Sequence, residues 1–465
     1  MIASMYRKSR PLRRFPIPIL VLFAVLLAGA APKPAALPEG VTPLPAASAQ
    51  HVQALLAAAE KYRGLHARSP IPAGTLEEAG LKKKLLESMR QHMPPESLRA
   101  AEVSLKAFGL IPESMSLVKY LPELLTSQVA GYYDTEKKYL AMVRRGGGAA
   151  GKEAAAAGDD DDMTLVHELT HALQDQSFDL EKLEKDDDDP LSDAGNAVTA
   201  LVEGDATLTM IDFQAQANLE NTPGASHMVS SLLGDPDKLA KAVPDLPGAD
   251  QFAKAPEWLR DNLMFGYLQG MTFCMSTRSR GGQKLLDYAF TTDPPRSSEQ
   301  ILHPEKWHTR RDDPIVIHLP DLAAELPGYV KAAEGGLGEL GIRSLLHGGH
   351  GDWEGAVKAA EGWGGDRFAV YEKKDGEKKG GDRILTWVSE WDSETDEQEF
   401  QVAAAALGNG WKVVGTAPRR AVALRGDLTE KQRETILARL AAAPAERPAN
   451  REIDLAAIGA KPPAR

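Results

Sequence analysis

Apolar positions in the first part of the chain repeat at helical spacing. The repeat is clearest at its start, where Val52, Leu55, Leu56 and Ala59 fall on one face of a helix. Similar spacing continues to about residue 125, with prolines dividing the apolar segments. The pattern therefore predicts a helical N-terminal part for a first domain that spans residues 51–330.

The pattern changes in residues 128–143, where aromatic and branched residues flank a polar turn at residues 134–138. This arrangement predicts a β-hairpin. An edge strand of such a hairpin could align an extended peptide by strand addition. An ordinary hairpin that contacts no substrate is the alternative.

Two further hairpin patterns, each followed by a helical pattern, occupy the last third of the chain. Their order, ββαββα, predicts a small α+β domain at residues 331–445, followed by a loose tail at residues 446–465. The fold class predicted for the whole chain is α+β, in which the first domain is mostly helical and contains a small sheet.

The N-terminus is organised like an export signal. Basic residues precede the apolar run Ile17–Leu27, and Ala28–Ala31 offers small residues for cleavage. The apolar run is short for a membrane span. We therefore predict a removed signal peptide at residues 1–31 and a flexible Pro- and Ala-rich linker at residues 32–50. The mature protein would be periplasmic or secreted and would have no stable membrane span.

Charge and cysteine content narrow the possible partners. The formal net charge is −12, whereas phosphate backbones are bound by concentrated basic faces, so we expect no nucleic-acid partner. Cys274 is the single cysteine, which excludes an intramolecular disulfide. An exported chain of this kind depends on its core, and a bound metal would add to its stability.

Candidate chemistry is concentrated in the segment His167-Glu168-Leu-Thr-His171. Residues four positions apart share one face of a helix, so the two imidazoles can bind the same Zn²⁺ ion. Glu168 projects from a neighbouring face, where it can act as a general base on water without occupying a coordination position. The surrounding apolar residues argue against a chance match, because unpartnered imidazoles are costly in a buried helix.

A catalytic zinc site needs a third protein ligand. No further histidine follows His171 closely, so the ligand must come from another segment. Residues 196–215 predict a helix in which Glu203 lies among apolar neighbours. An unpartnered carboxylate would be costly there, and this favours Glu203 as the third ligand. A carboxylate on an exposed helix edge is the alternative.

The segments Val166–Ala172 and Leu201–Ala206 together resemble the gluzincin metallopeptidases, the thermolysin-like zincins. The resemblance implies an active-site helix packed on a twisted sheet, a second helix that supplies the glutamate ligand, and peptide hydrolysis at zinc. It assigns His167, His171 and Glu203 to the metal and Glu168 to the general base. One position departs from the pattern: thermolysin-like enzymes have an aspartate four residues after the ligand glutamate, where this chain has Thr207.

A tetrahedral oxyanion also needs a donor from outside the two metal-binding helices. His303 is the first candidate and Tyr267 the second. The segment around His303, Ser297-Ser-Glu-Gln-Ile-Leu-His-Pro304, resembles a family of uncharacterised bacterial HExxH proteins that are predicted proteases. A structural histidine before a proline turn is the alternative for His303.

The sequence thus predicts an exported zinc peptidase that acts on proteins or peptides. The nearest rival is an aminopeptidase, which would need additional acidic residues to bind a free α-amine. A non-catalytic protein that binds zinc for structure is a rival of another class. The presence of Glu168 argues against it, because a structural site has no use for a base beside its metal.

Overall fold

A computed structural model describes residues 37–92, 94–144, 159–185, 193–216, 218, 254–350, 352–374, 383–408 and 410–461. The predicted signal peptide at residues 1–31 lies outside the described residues. Within them, no helix is both long enough and apolar enough to cross a membrane.

Helices occur along the whole of the described part of the chain. They are α1 (Ala46–Arg63), α2 (Glu78–His92), α3 (Pro95–Phe108), α4 (Leu117–Gln128), α5 (Asp159–Phe178), α6 (Leu180–Lys185), α7 (Ala194–Ala215), α8 (Glu257–Met264), α9 (Gly270–Thr291), α10 (Ser298–Leu302), α11 (Glu305–His308), α12 (Gly338–His350), α13 (Trp353–Ala360), α14 (Glu394–Ala404) and α15 (Glu430–Ala441). A π-helical turn, Phe265–Gln269, connects α8 to α9.

The strands are β1 (Thr42–Pro43), β2 (Ala73–Glu77), β3 (Gly131–Asp134), β4 (Tyr139–Arg144), β5 (Val316–Ile317), β6 (Tyr329–Gly335), β7 (Trp363–Lys373), β8 (Arg383–Trp391), β9 (Trp411–Ala417), β10 (Arg420–Arg425) and β11 (Ala445–Glu446). They form a four-stranded sheet in the order β1-β2-β4-β3, an antiparallel five-stranded sheet in the order β6-β7-β8-β10-β9, and the pair β11-β5. The protein is an α+β protein, as predicted.

The predicted hairpin at residues 128–143 and the two predicted C-terminal hairpins are all present as paired strands. Strands β3 and β4 pair antiparallel from Gly131↔Met142 to Asp134↔Tyr139, and β3 is an edge strand of its sheet. The C-terminal order β7, β8, α14, β9, β10, α15 is the predicted ββαββα. Strand β2 was not predicted. It pairs parallel with β4, and a parallel partner distant in sequence leaves no local turn signal.

Two predicted irregular segments are ordered parts of the fold. In the predicted linker, β1 pairs with β2 and α1 begins at Ala46. The predicted loose tail is wrong for residues 446–461. Its first residue belongs to β11, Arg451 forms a bidentate ion pair with Asp293, and Ile453 is buried in a core. These contacts are with residues far away in sequence, so composition could not reveal them.

The five-stranded sheet of the predicted C-terminal domain contributes to two apolar clusters. One is formed with α15 and residues 315–326. The other is shared with the N-terminal helices α2, α3 and α4. Phe108, the last residue of α3, packs edge-on against Phe368 and Trp387, with ring centroids 5.0 and 5.4 Å apart. The two predicted domains are therefore joined by apolar packing, and the boundary near residue 330 divides the sequence but not the core.

Helix α7 packs backbone to backbone against the start of α9. A Cβ atom added at Gly204 would lie 2.0 Å from the carbonyl carbon of Gly270, and one added at Gly270 would lie 2.0 Å from the carbonyl oxygen of Ala200. Only glycine allows this approach. The contact brings the π-helical turn next to Glu203 in α7, because Gly270 directly follows the turn and Gly204 directly follows Glu203.

We expect Gly204→Ala to destabilise the protein by about 1–3 kcal/mol, the usual cost of overpacking a core, because the added methyl would overlap the backbone of Gly270. The matched control is Gly195→Ala in the same helix, where an added Cβ meets nothing within 4 Å. Urea denaturation would measure both. Equal stability of the two variants would contradict the close contact.

Candidate metal centre

Helix α5 carries the first two candidate ligands into a closed environment. Its residues Leu165, Val166, Leu169, Ala172 and Leu173 form an apolar cluster with the side of α1 that the sequence predicted to be apolar. The cluster holds α5 from one side. His167, Glu168 and His171 are 7%, 6% and 4% exposed, so the whole motif is buried as predicted.

Helix α7 supplies Glu203 opposite these histidines. Its neighbours Leu201, Val202 and Ala206 are buried, and Glu203 itself is 2% exposed. The alternative of a surface carboxylate is therefore excluded. Because burial of a lone carboxylate is unfavourable, Glu203 needs cationic or hydrogen-bonding partners.

Three side-chain atoms that can bind a metal converge at this point. The Nε2 atoms of His167 and His171 are 3.0 Å apart, and Oε2 of Glu203 lies 3.1 Å from the first and 3.5 Å from the second. The described residues contain no other group of at least three His, Cys, Asp or Glu side chains arranged to hold a metal ion. Two imidazoles and a carboxylate are a common ligand set of catalytic zinc. Oε1 of Glu203 is buried and has no hydrogen-bond partner among the described residues, which also fits a site that a cation completes.

The charges within the cluster compensate one another. Burial disfavours the charged form of His171, but the carboxylates of Glu203 and Glu168 outweigh it and raise the pKa of His171 to about 9. Burial likewise disfavours ionised Glu203, but His171 and His167 lower its pKa to about 2. Glu203 is thus anionic at neutral pH and attracts positive charge into the site.

Glu168 faces the hairpin and stays outside the ligand group. Its Oε2 accepts a hydrogen bond of 2.8 Å from the backbone N–H of Tyr133 in β3. Burial raises the pKa of Glu168 above its ordinary value, while His171 and His167 oppose this shift. A carboxylate with a raised pKa is suited to exchanging protons near neutral pH.

Gln174 orients His171, a role that the sequence pattern did not predict. Nδ1 of His171 lies 2.9 Å from the Oε1 atom of Gln174. The amide nitrogen of Gln174 donates to the backbone oxygen of Val202 and to Asp205, at 3.0 and 2.9 Å. A histidine with an amide oxygen beside Nδ1 has its proton there, which leaves the Nε2 lone pair for a metal. The signal in the sequence was the position of Gln174, one helical turn after His171.

Among the described residues, Asp175 and Thr207 form no hydrogen bond with a candidate metal ligand. The carboxylate of Asp175 accepts hydrogen bonds from the hydroxyl of Tyr133 at 3.0 Å and from Lys138 at 2.7 Å, so it fastens the hairpin to α5. The hydroxyl of Thr207 is buried without a hydrogen-bond partner among the residues that the structure describes. Among the described residues, His171 is instead supported by Gln174, which Asp205 holds in place.

Tyr267, in the π-helical turn, lies beside the ligands. Its ring stacks on His167, with centroids 5.8 Å apart, and its hydroxyl hydrogen-bonds to Glu203. Burial, together with the charges of Glu203 and Glu168, raises the pKa of Tyr267 well above its ordinary value, so the hydroxyl remains a donor. π-Helical turns are frequent at functional sites, and here the turn brings the tyrosine to the cluster.

His303 does not reach the cluster. Its Nε2 lies 3.0 Å from the Oε1 atom of Glu339 in α12, and the guanidinium of Arg343 is 3.5 Å from the same nitrogen. The structure thus brings His303 to Glu339 and Arg343, and shows no hydrogen bond between His303 and a candidate ligand or Glu168 among the described residues. The alternative of a structural histidine before Pro304 describes it, since its ring connects the end of α10 to α12.

Comparisons with known proteins concern another part of the chain. Residues 327–438 match a family described as "Domain of unknown function (DUF8575)". The match covers about a quarter of the sequence and contains the five-stranded sheet and most of α15, but none of the candidate site residues. No curated protein and no solved structure matches the chain.

We expect the purified chain to bind one Zn²⁺ ion and to lose it to a strong chelator. Glu203→Gln should weaken zinc binding by at least about 100-fold, more than the loss of a residue that only supports a ligand usually costs. Glu354→Gln, which changes an exposed carboxylate, is the control. Zinc content and chelator competition would measure the difference. Equal zinc affinity of the two variants would remove Glu203 from the ligand set.

Proposed function

We propose that this protein is a zinc-dependent peptidase of gluzincin type with a zincin-like active-site architecture. The observation that carries the proposal is the buried convergence of His167, His171 and Glu203 from two packed helices, with Glu168 beside them. A structural zinc site is closed by four protein ligands and has no role for an adjacent base. Three ligands and a base are the arrangement of hydrolytic zinc.

When bound by His167, His171 and Glu203, zinc would polarise a peptide carbonyl and make water more acidic. Glu168 takes the proton from the attacking water and delivers it to the leaving amine, and its raised pKa suits both transfers. The protonated hydroxyl of Tyr267 donates to the oxygen on which negative charge develops. Tyr267 is the oxyanion donor in this proposal.

An extended peptide is the proposed substrate because β3, whose four residues are buried in this structure, is the strand next to the base. This strand is at the edge of its sheet, and the backbone N–H of Tyr133 lies 2.8 Å from the Glu168 carboxylate. A peptide that paired with this edge would pass directly by the base. Edge pairing uses the peptide backbone, so it accepts many side-chain sequences.

The surrounding carboxylates favour an endopeptidase over an aminopeptidase. A free α-amine would need an acidic group with no cation of its own. Asp175 already binds Lys138, and Asp205 already binds Arg63 at 2.6 Å. Neither is open to a substrate amine. We also propose that the protein acts after export, since residues 1–31 have the pattern of a signal peptide.

Glu168→Gln is the direct test of the peptidase proposal. The variant should retain zinc but hydrolyse an unfolded protein substrate such as casein about 10²- to 10⁴-fold more slowly, because the amide cannot take a proton from water. The experiment uses the chain from residue 32 onwards. Zinc binding without cleavage by either the unchanged chain or the variant would support a non-catalytic zinc protein instead.

Tyr267→Phe should lower kcat by about 10²- to 10³-fold, with KM and zinc content nearly unchanged, because it removes a donor that acts on the transition state. Tyr288→Phe is the control, since Tyr288 packs against an apolar cluster that contains no proposed site residue. Steady-state kinetics on a fluorogenic peptide would separate the two parameters. An equal effect of both substitutions would exclude Tyr267 from the reaction.

A further inference from the structure

Arg63 is a buried cation close to the metal centre, although it belongs to the first helix of the structure. It is the last residue of α1 and is 0% exposed. Its guanidinium donates to Asp205 at 2.6 Å, to Asp287 at 2.8 Å and to Gln283 at 3.1 Å. A charge is buried in this way only where partners compensate for the lost hydration.

The aromatic surroundings of Arg63 complete its fixed position. The guanidinium carbon lies 5.6 and 5.7 Å from the ring centroids of Phe178 and Phe290, which stack on each other. Phe178 ends α5, the helix of the two histidines, and Phe290 belongs to α9. Arg63 thus contacts α5, α7 and α9 at once, so its position is determined by three elements.

The hydrogen bonds of Arg63 continue to a metal ligand. Oδ2 of Asp205 accepts from Arg63 and also from the amide nitrogen of Gln174, at 2.9 Å. The amide oxygen of Gln174 then faces Nδ1 of His171 at 2.9 Å. The path from the guanidinium to the imidazole contains only these two side chains.

Oxygen atoms of Asp205 and Val202 determine the orientation of the Gln174 amide. Two oxygens, from Asp205 and Val202, face one end of the Gln174 amide, so that end must be the NH₂ group. The oxygen end then points to His171 and requires the proton on Nδ1. Nε2 is consequently the nitrogen that would bind a metal, and it faces Glu203 and His167.

We propose that Arg63 is a positioning residue of the metal centre, which acts through Asp205 and Gln174 to fix the orientation and tautomer of His171. This inference rests on the zinc centre proposed above. It also makes α1 an integral part of the site. A purely structural Arg63 would contribute to folding but not to zinc affinity.

Zinc affinity of the full chain tests the path independently of peptidase activity. Arg63→Met and Gln174→Leu should each weaken zinc binding by about 10- to 100-fold, the usual effect of removing a residue that orients a ligand. If both residues act through one path, the second substitution removes nothing further. The zinc affinity of the double variant should then lie within about threefold of that of the single variant that binds zinc more weakly. Arg63→Lys retains the charge and should recover part of the affinity.

The Co²⁺-substituted protein supplies a second measurement, since its visible absorption reports ligand geometry. We expect a changed spectrum in Arg63→Met and in Gln174→Leu. Arg311→Met is the matched control. Arg311 is also 0% exposed and is ion-paired with Asp313 at 2.8 Å, but it bonds to Asp293, Pro294 and Asp313 and to no proposed ligand. It should lower the melting temperature while leaving zinc affinity and the cobalt spectrum unchanged.

Three results would overturn the inference: unchanged zinc affinity in folded Arg63→Met, equal weakening in Arg311→Met, or effects of Arg63→Met and Gln174→Leu that multiply in the double variant. If Arg63→Met does not fold, the two single variants and the double variant are made with Arg63→Lys instead. Zinc affinity of Arg63→Lys equal to that of the unchanged chain would then count against the path. Zinc binding without peptide cleavage in the unchanged chain contradicts the proposed peptidase alone. Failure of the unchanged chain to bind zinc contradicts both proposals.

Discussion

The structure depends on the burial of four ionisable side chains between α5 and α7. His167, Glu168, His171 and Glu203 are all less than a tenth exposed, in surroundings that are otherwise apolar. Such a group is stable only if its charges compensate one another or a cation completes them. The apolar cluster with α1 and the contact of α7 with α9 hold the two helices in place around this group. The stability of the core and the chemistry of the site are therefore coupled.

The residues that surround the candidate ligands come from three different elements. The hairpin strand β3 contacts Glu168, the π-helical turn supplies Tyr267, and α1 supplies Arg63. Close backbone contact at Gly204 allows the turn to approach the ligand helix. A site assembled from so many elements is held by the whole first part of the chain, and this part in turn shares a core with the C-terminal sheet.

The C-terminal part matches a family described as a domain of unknown function. The five-stranded sheet packs against the N-terminal helices and contributes no residue to the metal centre. The proposal of peptidase function therefore rests on the geometry of the first part of the chain.

The sequence by itself determined those features that depend on neighbouring residues. The spacing of His167 and His171 placed both on one helical face, alternation predicted the hairpins, and the apolar context of Glu203 predicted its burial. Only the tertiary structure decided which distant groups meet. It placed His303 beside Glu339, brought Tyr267 to the ligands and connected Arg63 to His171. Periodicity records local backbone geometry, whereas a hydrogen bond between residues a hundred positions apart depends on how whole elements pack.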